Sequence, residues 1–259
     1  MKGLLAAIGL VALIAIAVAP PAEAAGMISF TEGSTRVDAY LALPKGEGTH
    51  PAVIVVQEWW GLNDWVKDQT TKLADLGYIA LAVDLYRGKT TKDQQVAHQL
   101  MNGLDEAAAM AMLRSSADFL RGRSDVRANA IGVIGWCMGG GYAIKLASVD
   151  PGIRAVVMYY GAPLTDQLAI RSLQAAVLGN FGGADKGPSP DQVQAFEKAL
   201  KKANKRSDFK VYSGAGHAFA NETNPFGTYK ESYAKDAWAR TTAFFKKELK
   251  QASLPKHRS

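Results

Sequence analysis

Cys137 is the sole cysteine of a 259-residue chain, and it sits in the stretch IGWCMGGGY after an apolar run. The spacing Gly135-x-Cys137-x-Gly139 fits a nucleophile elbow, in which a strand ends, the chain turns sharply and a helix begins. Glycines are needed there because a Cβ would collide with the neighbouring strand and helix. Such a turn lifts the thiol to the carboxyl edge of a parallel sheet, where α/β proteins bind ligands. The helix N-terminus beneath it favours negative charge at the sulfur. The next backbone N–H, that of Met138, could donate to an oxyanion. Taken alone, the same stretch serves equally well as a tight turn around an inert buried cysteine. It matches neither the phosphate-loop nor the dinucleotide glycine pattern.

An elbow enzyme needs an acid and then a histidine further along the chain. The loop of VLGNFGGADKG supplies Asp185 and that of VYSGAGHAFAN supplies His217, each directly after an apolar run. His217 would take the thiol proton and later activate water, and Asp185 would orient the ring and fix its tautomer. An aspartate after Gly-Gly-Ala is also a common turn former, and a loop histidine is commonly just exposed. The order and placement of both favour the catalytic reading. His50, His98 and His257 have no such placement. Glu58 closes the apolar run PAVIVVQEWWG, where a carboxylate is costly unless partnered or facing water.

The elements that must carry these residues alternate between strand and helix. Apolar runs predict strands within STRVDAYLALP (an exposed or edge strand), PAVIVVQEWWG, YIALAVDLYRG, AIGVIGW, IRAVVMYYG, AAVLGNFGG and FKVYSGAG. Helical periodicity covers Asp64–Leu76, Thr91–Asn102, Asp105–Arg121, Gly139–Ala147, Asp191–Ala203 and Tyr229–Lys250. This pattern predicts an α/β fold, with a mostly parallel central sheet and helices on both faces. One domain is expected over residues 27–259. The loop after Pro163 and the segment Arg87–Asn102 are expected to be surface elaborations.

Residues 1–24 read as a signal peptide, with a charged start at Lys2, an apolar stretch from Leu4 to Ala19 and a small-x-small site at Ala22-Glu23-Ala24. The expected location is therefore secreted or periplasmic. An uncleaved anchor remains open, as does a cytoplasmic chain that starts at Met27. One cysteine excludes an internal disulfide and a Cys-rich zinc site, and the four histidines lack metal-ligand spacing. No metal and no cofactor is expected. The net charge of +6 is spread along the chain without basic runs interleaved with aromatics, so no nucleic-acid partner is expected. Nor is a membrane partner expected for the mature domain, and the expected state is a monomer.

Together, Gly-x-Cys-x-Gly-Gly, Gln57-Glu58, Asp84-Leu85-Tyr86 and Gly216-His217-x-Phe219 resemble the dienelactone hydrolase family, or carboxymethylenebutenolidases, over roughly Ile28 to Leu249. These are cysteine-dependent α/β-hydrolases. The resemblance implies a Cys137–His217–Asp185 triad, with Glu58 beside the nucleophile to take up its proton. It also implies an oxyanion hole from the N–H groups of Met138 and Trp59. Tyr86, Arg87, Phe219 and Asn221 are candidate substrate-pocket residues, and Trp60 and Tyr159 are expected in the core. The family's dienelactone enzymes clamp a substrate carboxylate with two arginines, where this chain has Gln94 and Asn221, so the thiol chemistry carries over better than the substrate does. The expected activity is hydrolysis of activated esters or lactones through a thioester. A non-catalytic binding or stress protein on the same fold, or a redox-sensing thiol, would keep these residues without turnover.

Overall fold

The computed structural model describes residues 25–250. The expected leader, residues 1–24, and the tail 251–259 lie outside the described residues. Eight strands form one sheet: β1 (Ala25–Glu32), β2 (Thr35–Ala42), β3 (His50–Val56), β4 (Ile79–Val83), β5 (Val126–Trp136), β6 (Ile153–Tyr159), β7 (Ala176–Gly182) and β8 (Ser207–Tyr212). Their order across the sheet is β1-β2-β4-β3-β5-β6-β7-β8. β1–β2 and β2–β4 are antiparallel, and every other neighbouring pair is parallel.

The parallel strands are apolar throughout because both faces are covered. Ile54 and Val56 of β3 face one core, with Leu113, Ile144 and Phe196, while Val53 and Val55 face another, with Trp65, Leu73 and Phe245. This is the period-two alternation of a strand buried on both sides. The first core lies under α3 (Glu106–Gly122), α4 (Met138–Val149), α5 (Gln167–Ser172) and α6 (Pro190–Lys202). The second lies under α1 (Asp64–Asp75) and α7 (Glu231–Phe245). The remaining helix, α2 (Gln94–Asn102), buries only Ala97. Among the described residues no helix is long and apolar enough to cross a membrane.

The α/β architecture agrees with the sequence, with four local corrections. β1, whose alternation is diluted by Gly26 and Thr31, is an additional strand, and it starts two residues before Met27. It covers β2, which is therefore not an edge. The segment after Pro163 contains a short helix, α5, capped by Asp166 through the N–H groups of Leu168 and Ala169. The last helix starts at Glu231 and closes in a π-helical turn, Lys246–Lys250.

The strand–helix turn at β5–α4 is built on absent side chains. A Cβ on Gly139 would lie 2.5 Å from the Gln57 carbonyl oxygen and closer still to that of Val56. A Cβ on Gly161 would lie 2.5 Å from the Gly140 carbonyl carbon. The first turn of α4 is thus pressed onto the ends of β3 and β6. Gly139→Ala is expected to lower stability by about 3 kcal/mol through this overpacking, measured by urea unfolding. Gly122→Ala, where a Cβ meets nothing within 4 Å, is the control and should be neutral or slightly stabilising.

Candidate active site

Six strands deliver chemical groups to one edge of the sheet. Glu58 and Trp59 follow β3, Tyr86 follows β4, Cys137 follows β5, Tyr160 follows β6, Asp185 follows β7 and His217 follows β8. Cys137 stands at φ 54°, ψ −121°, a strained conformation for a residue with a Cβ. Three bonds hold it there: its N–H donates to the Tyr159 carbonyl at 2.9 Å, and its carbonyl accepts from the N–H groups of Gly140 at 3.0 Å and Gly141 at 3.4 Å. The thiol is free and partly exposed.

The acid and the imidazole meet. His217 Nδ1–H donates to Asp185 Oδ2 at 2.8 Å, and Asp185 Oδ1 accepts the Gly187 N–H at 2.9 Å. The loops carrying them are joined by the Ala184 N–H, which donates to the Ala215 carbonyl at 2.8 Å. With Nδ1 engaged, Nε2 remains for the thiol. Burial opposes charge on the ring, but the hydrogen bonds with Asp185 and Cys137 outweigh it and push the His217 pKa up to about 10. Of the three expected residues, His217 and Asp185 are thus joined directly, and Cys137 lies near enough to bear on the ring's charge.

Glu58 is 1% exposed. Asn221 Nδ2 donates to its Oε2 at 2.6 Å, and the Tyr160 hydroxyl donates to its Oε1 at 3.3 Å. Burial dominates these donors and the nearby His217 charge, and lifts the Glu58 pKa to about 7. A carboxyl in this state can hold or release a proton near neutrality. The N–H groups of Met138 and Trp59 have no hydrogen-bond partner among the described residues, as oxyanion donors require.

The four pocket candidates divide. Tyr86 is beside the nucleophile: its hydroxyl donates to Met138 Sδ at 3.3 Å, and burial followed by the nearby Cys137 raises its pKa. Asn221 is fully buried, holds Glu58, and is itself oriented by the Thr223 N–H at 2.8 Å. Phe219 is no pocket residue. It is 0% exposed in the second core, with Tyr212 at 4.9 Å and Tyr160 at 5.5 Å between ring centroids, because the loop after His217 folds back over the sheet. Arg87 is likewise misplaced by the sequence reading. Asp84 caps the turn after β4 through the N–H groups of Tyr86 and Gly88. Arg87, at φ 52°, then lies in a surface groove with Ser29, Asp38 and Gly88, which no triad residue lines.

Trp60 and Tyr159 are buried, as expected. Two features went unread. Tyr160 was legible only as an aromatic at a strand end, whereas its hydroxyl reaches Glu58. His98 of α2 meets Trp59 edge-on at 4.7 Å, which no local pattern signals.

The sequence profile of the dienelactone hydrolase family matches residues 37–249. The chain belongs to that family. A protein of Methylorubrum extorquens named as a presumed carboxymethylenebutenolidase is 32% identical over 236 residues, covering 86% of this chain and 80% of the relative. A Bradyrhizobium protein named as a probable 2-oxo-3-(5-oxofuran-2-ylidene)propanoate lactonase is 29% identical, covering 85% of this chain and 92% of the relative. The crystal structure of a presumed dienelactone hydrolase from Klebsiella pneumoniae superimposes with a TM-score of 0.77 at 31% identity, covering 85% and 97%. The expected fold and the ester or lactone hydrolase class are borne out at the level of the family.

Glu58 makes stability depend on pH in a defined direction. Its folded pKa of about 7 lies above the ordinary 4.5. Between these values the folded chain keeps a proton that the unfolded chain has released. The stabilisation is complete below pH 4.5 and is lost as pH rises through 7. Over that interval the loss is about 3 kcal/mol. Glu58→Gln should remove this loss, so urea midpoints at pH 4.5 and pH 7 should differ less in the variant than in the wild type.

Proposed function

We propose that the chain hydrolyses activated carboxylic esters and lactones with Cys137 as nucleophile. The observation that supports this most is the His217–Asp185 pair presented beside a strained, partly exposed thiol at a strand–helix turn. Cys137 Sγ attacks the carbonyl carbon, and the oxyanion rests on the N–H groups of Met138 and Trp59. Glu58 accepts the thiol proton as substrate arrives. The tetrahedral adduct collapses to a thioester as His217, protonated at rest, gives its proton to the departing alkoxide. His217 then takes a proton from water, which attacks the thioester and frees the acid, and Glu58 returns its proton to the expelled thiolate.

Thiolate is a good leaving group, so an adduct bearing a poorer one reverts. Enol and aryl esters are therefore turned over, and amides and plain alkyl esters hardly at all. Neither position aligned with a family arginine offers a cation: Gln94 is exposed at the start of α2 and Asn221 is buried on Glu58. Neutral esters are consequently better substrates than a lactone carrying a free carboxylate.

The purified chain should cleave 4-nitrophenyl acetate, and Cys137→Ala should reduce kcat/KM by at least about a thousandfold, given what loss of an activated nucleophile removes. A cis-dienelactone should be a poorer substrate than the neutral ester. Equal rates for wild type and variant on both substrates would sink the nucleophile assignment and put the non-catalytic binder first.

We further propose that residues 1–24 direct secretion or export to the periplasm. The charged start, the apolar stretch and the Ala22-Glu23-Ala24 site support this. Mass spectrometry of the chain recovered from a bacterial periplasm should then give a first residue at Ala25. Full-length chain confined to the cytoplasm refutes it.

A further inference from the structure

Glu58 is held by a neutral amide whose orientation is fixed. Asn221 Oδ1 accepts the backbone N–H of Thr223 at 2.8 Å and the Thr223 hydroxyl at 2.8 Å. A backbone N–H can only donate, so the atom facing it must be the oxygen, and the nitrogen must face Glu58. The loop around this amide is closed as well. Asn224 Nδ2 donates to the carbonyls of Ala218 at 3.0 Å and Asn221 at 2.7 Å, and its Oδ1 accepts the Phe226 N–H at 2.9 Å. Asn221 and Glu58 are both buried, so bulk water does not compete for the bond between them.

The two carboxyl oxygens are therefore unlike. Asn221 Nδ2 lies 2.6 Å from Oε2, and an amide nitrogen only donates, so Oε2 must keep a lone pair for it. A proton on Glu58 belongs on Oε1. That oxygen faces the Tyr160 hydroxyl at 3.3 Å, which can donate to the ionised carboxylate or accept from the acid. The same hydroxyl feels the charge of Cys137 as well as that of Glu58. Two further charges bear on Glu58: His217 favours its ionised form, and Glu222, bonded to Trp65 Nε1 at 2.8 Å, opposes it.

We propose that Asn221 is a positioning residue for proton transfer: by reserving Oε2, it makes Oε1 the single oxygen of Glu58 that receives the thiol proton. In that step the S–H bond of Cys137 breaks, its electron pair stays on sulfur, and an O–H bond forms at Oε1. Asn221 has this role only if Glu58 accepts the proton of Cys137, as the hydrolytic reading holds, but both groups can be followed without ester turnover.

Carbon-13 NMR of the full chain with carboxyl-labelled glutamate follows Glu58 as the resonance missing from Glu58→Gln. Its midpoint in the wild type should lie at about 7. Asn221→Leu deletes the donor and should raise the midpoint by at least about one pH unit. Asn221→Asp keeps the acceptor for Thr223 but sets a second acceptor against Oε2, and should raise it further, because two carboxyls then share a proton. A merely structural loss would admit water and move the midpoint the other way, towards the ordinary 4.5. The rate at which iodoacetamide alkylates Cys137 should rise with pH along the wild-type midpoint and shift upward with it in both variants. An unmoved or lowered midpoint in either folded variant overturns the role of Asn221 at the carboxyl. A raised midpoint with an unshifted alkylation profile overturns its role in proton transfer. Both readouts work on a chain that cleaves no ester, so failure of hydrolysis and failure of this role are separately visible.

Discussion

The contact between the first turn of α4 and the end of β3 governs the rest of the site. With no side chain at Gly139, helix and strand backbones approach within a distance that excludes even a methyl group. That approach brings two unpartnered N–H groups, from Met138 at the helix start and Trp59 just past the strand, to the same edge as the thiol. Neither group is far along its element, so neither could be moved there by a rotamer change. The strain at Cys137, of order 1–3 kcal/mol for a left-handed non-glycine residue, persists because backbone hydrogen bonds to Tyr159 and Gly140 hold both sides of the residue. Geometry that depends on backbone alone is pre-organised. It need not be rebuilt when charge develops on a carbonyl oxygen.

The charges around this frame are set by two opposite balances between burial and pairing. Asp185 fixes His217 from the side away from the thiol, and the raised pKa of the ring reflects two hydrogen bonds that overcome desolvation. Glu58 shows the reverse balance, since its two donors, Asn221 and Tyr160, carry no charge and do not overcome desolvation. A cation at position 221 would hold Glu58 ionised, because an opposite charge within a few ångströms favours the charged form. The amide instead leaves the carboxyl near the midpoint of its titration at neutral pH. Asn221 thus bears on proton traffic as well as on substrate choice.

Much of this was legible in the sequence because it rests on local rules. Apolar runs give buried parallel strands whatever the neighbours are, and Gly135, Gly139 and Cys137 lie within five residues of one another. Asp185 and His217 could be placed because parallel strands put their following loops on one edge. What failed needed tertiary knowledge. Whether Phe219 points to a cleft or to the core depends on the path of the loop after His217, which is set by contacts with residues beyond it. Arg87 was misjudged because one left-handed residue in the Asp84–Gly88 turn redirects its side chain. β1 escaped notice because glycine and threonine dilute its alternation. The Glu58–Asn221 bond joins residues 163 positions apart, and nothing short of the fold brings them together.

The alternation that buries both faces of the sheet also couples them at its edge. Successive residues of a strand point to opposite sides, so each candidate site residue just past a strand has an immediate neighbour facing the other way. Trp136 and Tyr159 are those neighbours for Cys137 and Tyr160, and both are large, buried and in contact with each other. Interiors packed this closely transmit small displacements, because few voids exist to absorb them. A change in packing behind the edge therefore reaches the turn that carries the thiol through one peptide unit. The aromatic layer under α1 and α7 packs directly behind Cys137, whose N–H is held by the carbonyl of one of its members, Tyr159.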